Sequence, residues 1–237
     1  MSEILAPCGG IESLTAAVNS GADAVYLGEE SFSARKNAEN FSYDKLCEAV
    51  KFCHYSGVKV YVTLNTLVFD KEISLLAKAI ENCAKADVDG FIVQDLGVAH
   101  IARQIVPEMP LHASTQMTVN SSEGAIKAKQ LGFSRVVLGR ELSLQQIKNI
   151  IDSCDIETEI FVHGALCVCI SGQCYMSSVL GGRSGNRGLC AQPCRLNFNC
   201  FDRQNVLSLK DMSLIEKLPE LKIIGVTSFK IEGRMKR

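Results

Sequence analysis

Two patterns of apolar and polar residues alternate along the chain. Short apolar runs rich in Val, Ile and Leu predict buried strands, and longer stretches with apolar residues three and four positions apart predict helices. The predicted strands are Ile4–Ala6, Ala24–Leu27, Lys59–Leu64, Gly90–Val93, Leu111–Ala113, Arg135–Leu138, Ile160–Val162 and a last strand within Ile223–Lys230. The predicted helices are Ile11–Ser20, Tyr43–Tyr55, Glu72–Ala86, Leu96–Ile105, Ser121–Leu131, Leu144–Ser153 and Ser213–Leu218.

Strictly alternating strands and helices indicate a parallel sheet covered by helices. About eight such units in 237 residues favour a closed (β/α)8 barrel, a TIM-like α/β fold, and the open doubly wound sheet is the alternative. The length suits one domain over residues 1–237 with a sizeable core.

Polar side chains follow the predicted strands, whereas the residues inside the strands are Val, Ile and Leu. Barrels of this kind carry their working face at the carboxyl ends of the strands, so we expect the site there. Gly28 and Gly164, which also follow predicted strands, are interpreted as turn formers. The candidate catalytic residues are His163, Glu141 and Asp95, and the candidate substrate-binding residues include Asn65, Gln94 and Gln116. Histidine is a common general acid or base near neutral pH, so His163 is a candidate for that role, and a polar core histidine is an equal alternative.

A Gly- and Cys-rich loop after the seventh strand, residues 164–200, concentrates the reactive side chains of the chain. Four of its thiols are spaced as C-x6-C, then fifteen residues, then C-x3-C: Cys167, Cys174, Cys190 and Cys194. Their neighbours are mostly Gly, Ser, Gln, Arg and Pro, which build no core, and Cys169 is treated as a spare thiol. The remaining cysteines in apolar patterns, Cys47, Cys53, Cys83 and Cys154, are expected to be core residues.

The four thiols could serve in disulfides, in a zinc site or in an iron–sulfur site. An odd total of eleven cysteines and no recognisable signal peptide favour a reducing compartment over disulfides, so we expect a cytoplasmic protein. Four thiolates can hold zinc or an iron–sulfur cluster. Only Cys190 and Cys194 have the close spacing of a zinc knuckle, and the spacing alone does not decide between the two groups.

Charge and hydropathy limit the kinds of molecule that the chain is expected to bind. Hydrophobic residues make up 47% and charged residues 22%, the net charge is −1, and no apolar run has the length of a membrane span. Contact with nucleic acid therefore requires a local basic patch. Guanidinium groups bind carboxylate or phosphate in a bidentate manner, and the candidates for an anionic ligand are Arg140, Arg183, Arg187 and Arg234.

Long segments resemble peptidase family U32, historically called collagenase-like peptidases. The segments that carry the resemblance are Leu5–Gly10, Gly21–Gly28, Phe32–Arg35, Val58–Thr66, Ile92–Gly97, Leu111–Thr118, Glu159–Cys167, Ser171–Ser177, Gly181–Arg195 and Phe229–Lys236. The resemblance implies a 4Fe–4S cluster on Cys167, Cys174, Cys190 and Cys194. It also implies oxygen-independent hydroxylation of tRNA, rRNA or a quinone precursor with prephenate as the oxygen source, and we expect the tRNA wobble uridine as substrate.

Two other functions stay open: a U32 peptidase, and a zinc-stabilised scaffold without catalysis. A cysteine peptidase needs a free thiolate beside a histidine. Cys167 follows His163 by four residues, but a thiolate bound to iron is not a free nucleophile. A U32 paralogue or a second copy is the expected protein partner. Since family members often continue past Lys236, we expect the catalytic part of a longer protein.

Overall fold

Nine strands and eight helices form within residues 2–34 and 40–233, the part of the chain that this computed structural model describes. The strands are β1 Glu3–Pro7, β2 Ala24–Gly28, β3 Lys59–Leu64, β4 Gly90–Val93, β5 Leu111–Ala113, β6 Arg135–Val137, β7 Glu157–Gly164, β8 Met212–Ser213 and β9 Ser228–Ile231. The helices are α1 Ile11–Asn19, α2 Tyr43–Tyr55, α3 Ile73–Lys85, α4 Leu96–Ile105, α5 Ser122–Gln130, α6 Leu144–Ser153, α7 Met176–Gly181 and α8 Leu218–Ile223.

The parallel strands close into a ring. Strands β1 to β7 pair in sequence order, β7 also pairs with β9, and β9 pairs with β1, all in parallel. The two-residue β8 lies outside the ring and pairs antiparallel with the end of β7. The predicted (β/α)8 barrel is therefore confirmed, and the open sheet is excluded.

Alternate residues of each strand face opposite sides, and this divides the core in two. In β3, for example, Val60, Val62 and Leu64 belong to the large cluster between strands and helices. Tyr61 belongs to a small apolar cluster inside the barrel that also contains Leu5, Ala24, Tyr26 and Ile92. Most of the Val, Ile and Leu residues thus bind the helices to the outside of the ring.

Charged residues fill much of the barrel interior, which the expectation of Val, Ile and Leu inside the strands did not anticipate. Nη1 of Arg135 lies 3.2 Å from the carboxylate of Glu159 and also binds Glu3, and Nζ of Lys230 lies 2.7 Å from the other oxygen of Glu159. Burial raises the pKa of Glu3, but hydrogen bonds from Arg135 and Tyr61 outweigh it, so the pKa is lowered overall. The interior therefore combines the small apolar cluster with a paired ionic network, in which each buried charge has a partner.

The last two elements differ from the sequence prediction. The predicted helix Ser213–Leu218 is replaced by β8, a 3₁₀ turn at Ile215–Lys217 and then α8. Pro219 lies in the first turn of α8, where its missing N–H has no partner to lose, and the helix begins there. Gly225, with φ of +101°, separates α8 from β9, so Ile223 belongs to the helix and not to the last strand.

Candidate functional site

A cavity of about 870 Å³ lies at the carboxyl ends of the strands, beneath the Cys-rich loop. The barrel contributes residues from the ends of several strands, and the loop covers them with residues between 165 and 195. The barrel residues include Thr63, Asn65, Gln116, Arg140, Lys230 and Glu232. The cavity therefore lies where (β/α)8 barrels place their working sites.

The four thiols that the sequence singled out all line this cavity, together with Cys169. Burial raises the pKa of Cys194, and the thiols of Cys167, Cys190 and Cys174 are among the neighbours that raise it further. Burial likewise raises the pKa of Cys169, followed by the effects of Cys174 and Cys167. The loop has thus brought thiols that are up to 27 residues apart in sequence into mutual electrostatic range.

The arrangement of these thiols bears on which group they could hold. All eleven cysteines are free thiols, so no disulfide competes for them. Within residues 2–34 and 40–233, no three His, Cys, Asp or Glu side chains are grouped closely enough to hold a single metal ion. Four cysteines are the usual ligands of a 4Fe–4S cluster and can also hold a tetrahedral zinc ion. The four thiols that line the cavity therefore fit either group by their chemistry.

Residues Ser171 to Gln173 attach the loop to the end of β5. Oγ1 of Thr118 donates a hydrogen bond of 2.6 Å to the carbonyl of Ser171 and accepts one of 3.0 Å from Nε2 of Gln173. Gly172 has φ of +70°, and a Cβ there would lie 2.5 Å from the carbonyl oxygen of Gln116. Only glycine fits this close approach, which sets the position of Cys174 two residues later.

The same segment is attached to the end of β6. Oγ of Ser171 donates to Oε2 of Glu141 at 2.9 Å and accepts a longer bond of 3.4 Å from the backbone N–H of Arg140. Glu141, a candidate catalytic residue, therefore lines the cavity and also holds the loop.

Arg187 attaches the loop to the segment that follows β3. Its guanidinium makes a bidentate pair with Glu72, at 2.7 and 3.0 Å, and lies 4.6 Å from the centre of the Phe69 ring. The hydrogen bond from Arg187 is the main reason that the pKa of Glu72 is lowered to about 2. Arg187 does not line the cavity and its guanidinium is engaged by Glu72, so its role in anion binding stays a prediction.

Cationic side chains form one wall of the cavity. The guanidinium of Arg140 stacks on the Phe161 ring at 3.9 Å and lies 3.0 Å from the carboxylate of Glu232. Arg183 also lines the cavity, and its Nε donates to the carbonyl of Leu189 at 3.0 Å. Both arginines were predicted from the sequence to bind an anionic ligand. Their places in the cavity lining are compatible with that role, which stays a prediction.

Two further cations of this wall were not expected. Lys230, the partner of Glu159, points into the cavity from the middle of β9, and Arg195 joins the loop to Leu166 with a hydrogen bond of 3.1 Å. The sequence signal for Lys230 was a charged residue at an inward position of a strand. The signal for Arg195 was its place directly after Cys194.

Three expected residues lie outside the cavity. Asp95 caps α4, accepting hydrogen bonds from the backbone N–H groups of Gly97 at 2.7 Å and Val68 at 3.1 Å. His163 is exposed, and Gln94 does not line the cavity. Being next to a strand end is not sufficient. At Asp95 the chain already turns into the following helix, whereas His163 lies within β7 and pairs with Ser213 of β8. The fourth predicted arginine, Arg234, lies outside the described residues.

Histidine is absent from the cavity lining that the described residues form, although all four histidines belong to those residues. His112 is inside the barrel, where burial, followed by the charges of Arg135 and Lys230, lowers its pKa well below the usual range. A thiol and a histidine are therefore not paired in the cavity.

Neutral polar residues form the other wall. Asn65 follows β3, and Ser114, Thr115 and Gln116 follow β5. Oδ1 of Asn65 accepts a hydrogen bond of 3.0 Å from the N–H of Ala34, which fixes the orientation of its amide. The two predicted residues Asn65 and Gln116 are thus brought together with two that were not singled out.

Fold and site together define a (β/α)8 barrel protein with a cysteine-lined cavity under a long loop. A family model described as Peptidase family U32 matches residues 9–237. The chain belongs to peptidase family U32.

Curated relatives extend over nearly the whole chain. A 23S rRNA 5-hydroxycytidine synthase of Escherichia coli (strain K12) is 43% identical over 99% of this chain and 36% of its own length. The tRNA hydroxylation protein P1 of Bacillus subtilis (strain 168) is 37% identical over 99% of this chain and 59% of its own length. A collagenase of Porphyromonas gingivalis is 35% identical over 98% of this chain and 61% of its own length. The chain thus spans between about a third and three fifths of the length of these relatives.

Solved structures agree on the fold. The U32 peptidase Mk0906 superposes with a TM-score of 0.68 at 15% identity, covering 98% of this chain and 92% of that protein. None of the helices in the described ranges combines the length and hydrophobicity that a bilayer span requires.

Proposed function

We propose that the chain is the catalytic barrel of an enzyme that hydroxylates a pyrimidine base of RNA without molecular oxygen. Its relatives include proteins named for hydroxylation of tRNA and for 5-hydroxycytidine synthesis in 23S rRNA. The tRNA wobble uridine is the nucleoside expected from the sequence, and the rRNA relative makes cytidine the alternative. The proposed compartment is the cytoplasm, with tRNA or rRNA as the macromolecular partner.

The convergence of Cys167, Cys174, Cys190 and Cys194 on one cavity carries this proposal. These four thiolates would hold a 4Fe–4S cluster. Such a cluster supplies one-electron transfer when bound. The attachments at Gly172 and Arg187 hold the two halves of the loop over the barrel, so the thiolates keep their places beside the substrate.

An oxygen donor must also enter the cavity. Replacing a C–H bond of the base with C–OH is a two-electron oxidation, so the donor accepts two electrons as it gives up its oxygen atom. For this role we propose prephenate, which carries two carboxylates. Arg140 and Lys230 both lie over the Phe161 ring, and Arg183 lines the same cavity from the loop. These cations would bind those carboxylates, since guanidinium and ammonium groups favour such anions.

A peptidase is the second candidate, favoured by the family name and by a collagenase among the relatives. The cavity supports it less well, because a nucleophilic cysteine needs a neighbouring histidine and no histidine lines the cavity within the described residues. A zinc-stabilised scaffold is the third, because four thiolates can also hold a tetrahedral zinc ion.

Metal analysis after anaerobic purification separates the iron–sulfur enzyme from the zinc scaffold. We expect about four iron and four sulfide per chain with broad visible absorption, because four thiolates hold one 4Fe–4S cluster. Cys190→Ala should lose iron, whereas Cys200→Ala should not, since Cys200 is an exposed cysteine of the chain that does not line the cavity. A colourless protein with one zinc would support the scaffold.

Mass spectrometry of nucleosides tests the reaction itself. In a strain that lacks the gene, the protein should restore a hydroxylated uridine or cytidine to tRNA or rRNA, and Cys190→Ala should not. Cleavage of gelatin that is lost with Cys167→Ala but kept with Cys190→Ala would instead support the peptidase. Association with a U32 paralogue or a second copy stays a prediction, which size-exclusion chromatography can check.

A further inference from the structure

The neutral wall of the cavity contains polar atoms without partners. The hydroxyl oxygen of Thr115 and the amide oxygen Oε1 of Gln116 are buried, and neither has a hydrogen-bond partner among the described residues. Both residues line the cavity. Buried polar atoms in native proteins are nearly always hydrogen-bonded, so two adjacent exceptions in a cavity suggest a ligand that supplies the missing partners.

A donor faces the same region. Because the N–H of Ala34 fixes Oδ1 of Asn65, the Nδ2 group of Asn65 is turned toward Ser114, whose Oγ is 3.5 Å away. This bond is long, and Oγ of Ser114 already accepts from the N–H of Gln116 at 3.3 Å. The wall therefore offers oxygen acceptors beside an amide donor, all on uncharged side chains.

We infer that this neutral wall binds the hydrogen-bonding edge of a pyrimidine base that is turned out of the RNA into the cavity. The choice of a pyrimidine rests on the proposed function. Uracil presents N3–H between two carbonyl oxygens, and cytosine presents an amino group beside N3, so either supplies a donor for Gln116 and an acceptor for Asn65. Enzymes that modify a base commonly extrude it and read this edge.

The position of the wall relative to the thiols agrees with this assignment. The backbone of Gln116 touches Gly172, two residues before Cys174, so a base held by Gln116 lies beneath the thiol-bearing loop. The cationic wall with Arg140 and Lys230 would receive the anionic co-substrate. The two substrates are then recognised by different chemistry, neutral hydrogen bonding for the base and ion pairing for the acid.

Gln116→Met tests the inference, because methionine keeps the length of the side chain and removes the amide. The matched control is Gln94→Met. Gln94 follows the neighbouring strand β4 and also has a buried amide oxygen without a described partner, but it does not line the cavity. Thr115→Val is the second cavity variant, should Gln116→Met not fold. Iron content and visible absorption, compared with those of the wild type, show whether the loop is intact.

The decisive measurement is equilibrium binding of uridine and cytidine 5′-monophosphate by calorimetry, which requires no turnover. We expect Gln116→Met to weaken binding of at least one of them about tenfold or more, and Gln94→Met to leave it within about twofold. Equal binding by the two methionine variants, or no binding by the wild type, overturns the inference.

Hydroxylation of RNA from a deletion strain separates this inference from the proposed function. A wild-type protein that binds a nucleotide through Gln116 but forms no hydroxylated nucleoside would refute the function and leave the base wall standing. A wild-type protein that hydroxylates RNA, with Gln116→Met as active as Gln94→Met, would refute the base wall alone.

Discussion

Gly172→Ala is the substitution for which the structure gives the most specific expectation. Its φ of +70° is costly for alanine, and a Cβ would lie 2.5 Å from the carbonyl oxygen and 2.7 Å from Cα of Gln116. These are backbone atoms, so no side-chain rotation can relieve the overlap. Either the loop moves away from β5, or the strand end is displaced.

A second glycine of the same loop isolates the effect of this overlap. Gly182, with φ of +64°, has a similar backbone conformation, but a Cβ there would meet no atom within 4 Å. Alanine at either position carries the left-handed penalty of about 1–2 kcal/mol. The overlap adds about 1–3 kcal/mol at Gly172 alone. For a domain of this size, that difference corresponds to a melting temperature lower by about 2–12 °C.

Thermal unfolding and iron analysis of the two variants side by side provide the assay. If the overlap is relieved by movement of the loop alone, the melting temperature changes little, and the loss appears as iron released from the displaced Cys174. Equal melting temperatures together with equal iron content in Gly172→Ala and Gly182→Ala would refute the reasoning, because the close approach would then have no consequence.

Three further predictions concern the thiol cavity, the loop attachment and the barrel interior. Cys169→Ser should keep the iron content of the wild type, since the other four thiols suffice, and loss of iron would make Cys169 a ligand. The pKa of Glu72 is lowered to about 2 from the ordinary 4.5, so its contribution to stability is complete above pH 4.5 and disappears as the pH falls toward 2. Glu72→Gln should therefore lose less stability than the wild type between pH 4.5 and pH 2, as measured by circular dichroism during acid unfolding. An unchanged curve would show that the pair with Arg187 contributes nothing. Arg135→Met should destabilise the protein by about 3–5 kcal/mol in urea unfolding, because Glu159 loses a buried partner, and a change below about 1 kcal/mol would contradict this.

Local pattern was sufficient for most of the fold. The apolar runs and their spacing placed all eight barrel strands and six of the helices close to their observed positions. Strict alternation implied a parallel sheet, and the number of units favoured its closure over an open sheet. It failed near Ser213, because β8 forms only by pairing with the end of β7, which no local pattern can indicate. The start of α8 was misplaced for a similar reason, since Pro219 marks a helix start only once the strand before it is known.

The site was predictable where chemistry and spacing coincide in a short segment. The four cysteines, Gln116 and Arg140 all line the cavity, as their positions after β5, β6 and β7 suggested. Asp95 and His163 were expected in the same place and lie outside it. Residue type and nearness to a strand end cannot distinguish a side chain that faces the cavity from one that caps the next helix.

The sequence by itself determined the alternation of strands and helices, the family and the four thiols, because each depends on residues that are close together in the chain. Only the tertiary structure decided which side of each strand faces the interior, and hence that Arg135, Glu159 and Lys230 form an ionic network inside the barrel. It alone showed that Arg187 is paired with Glu72, and that Oγ1 of Thr115 and Oε1 of Gln116 have no hydrogen-bond partner among the described residues. Hydrogen bonds and ion pairs between distant segments depend on where closure of the ring places each side chain, and that is a property of the whole fold.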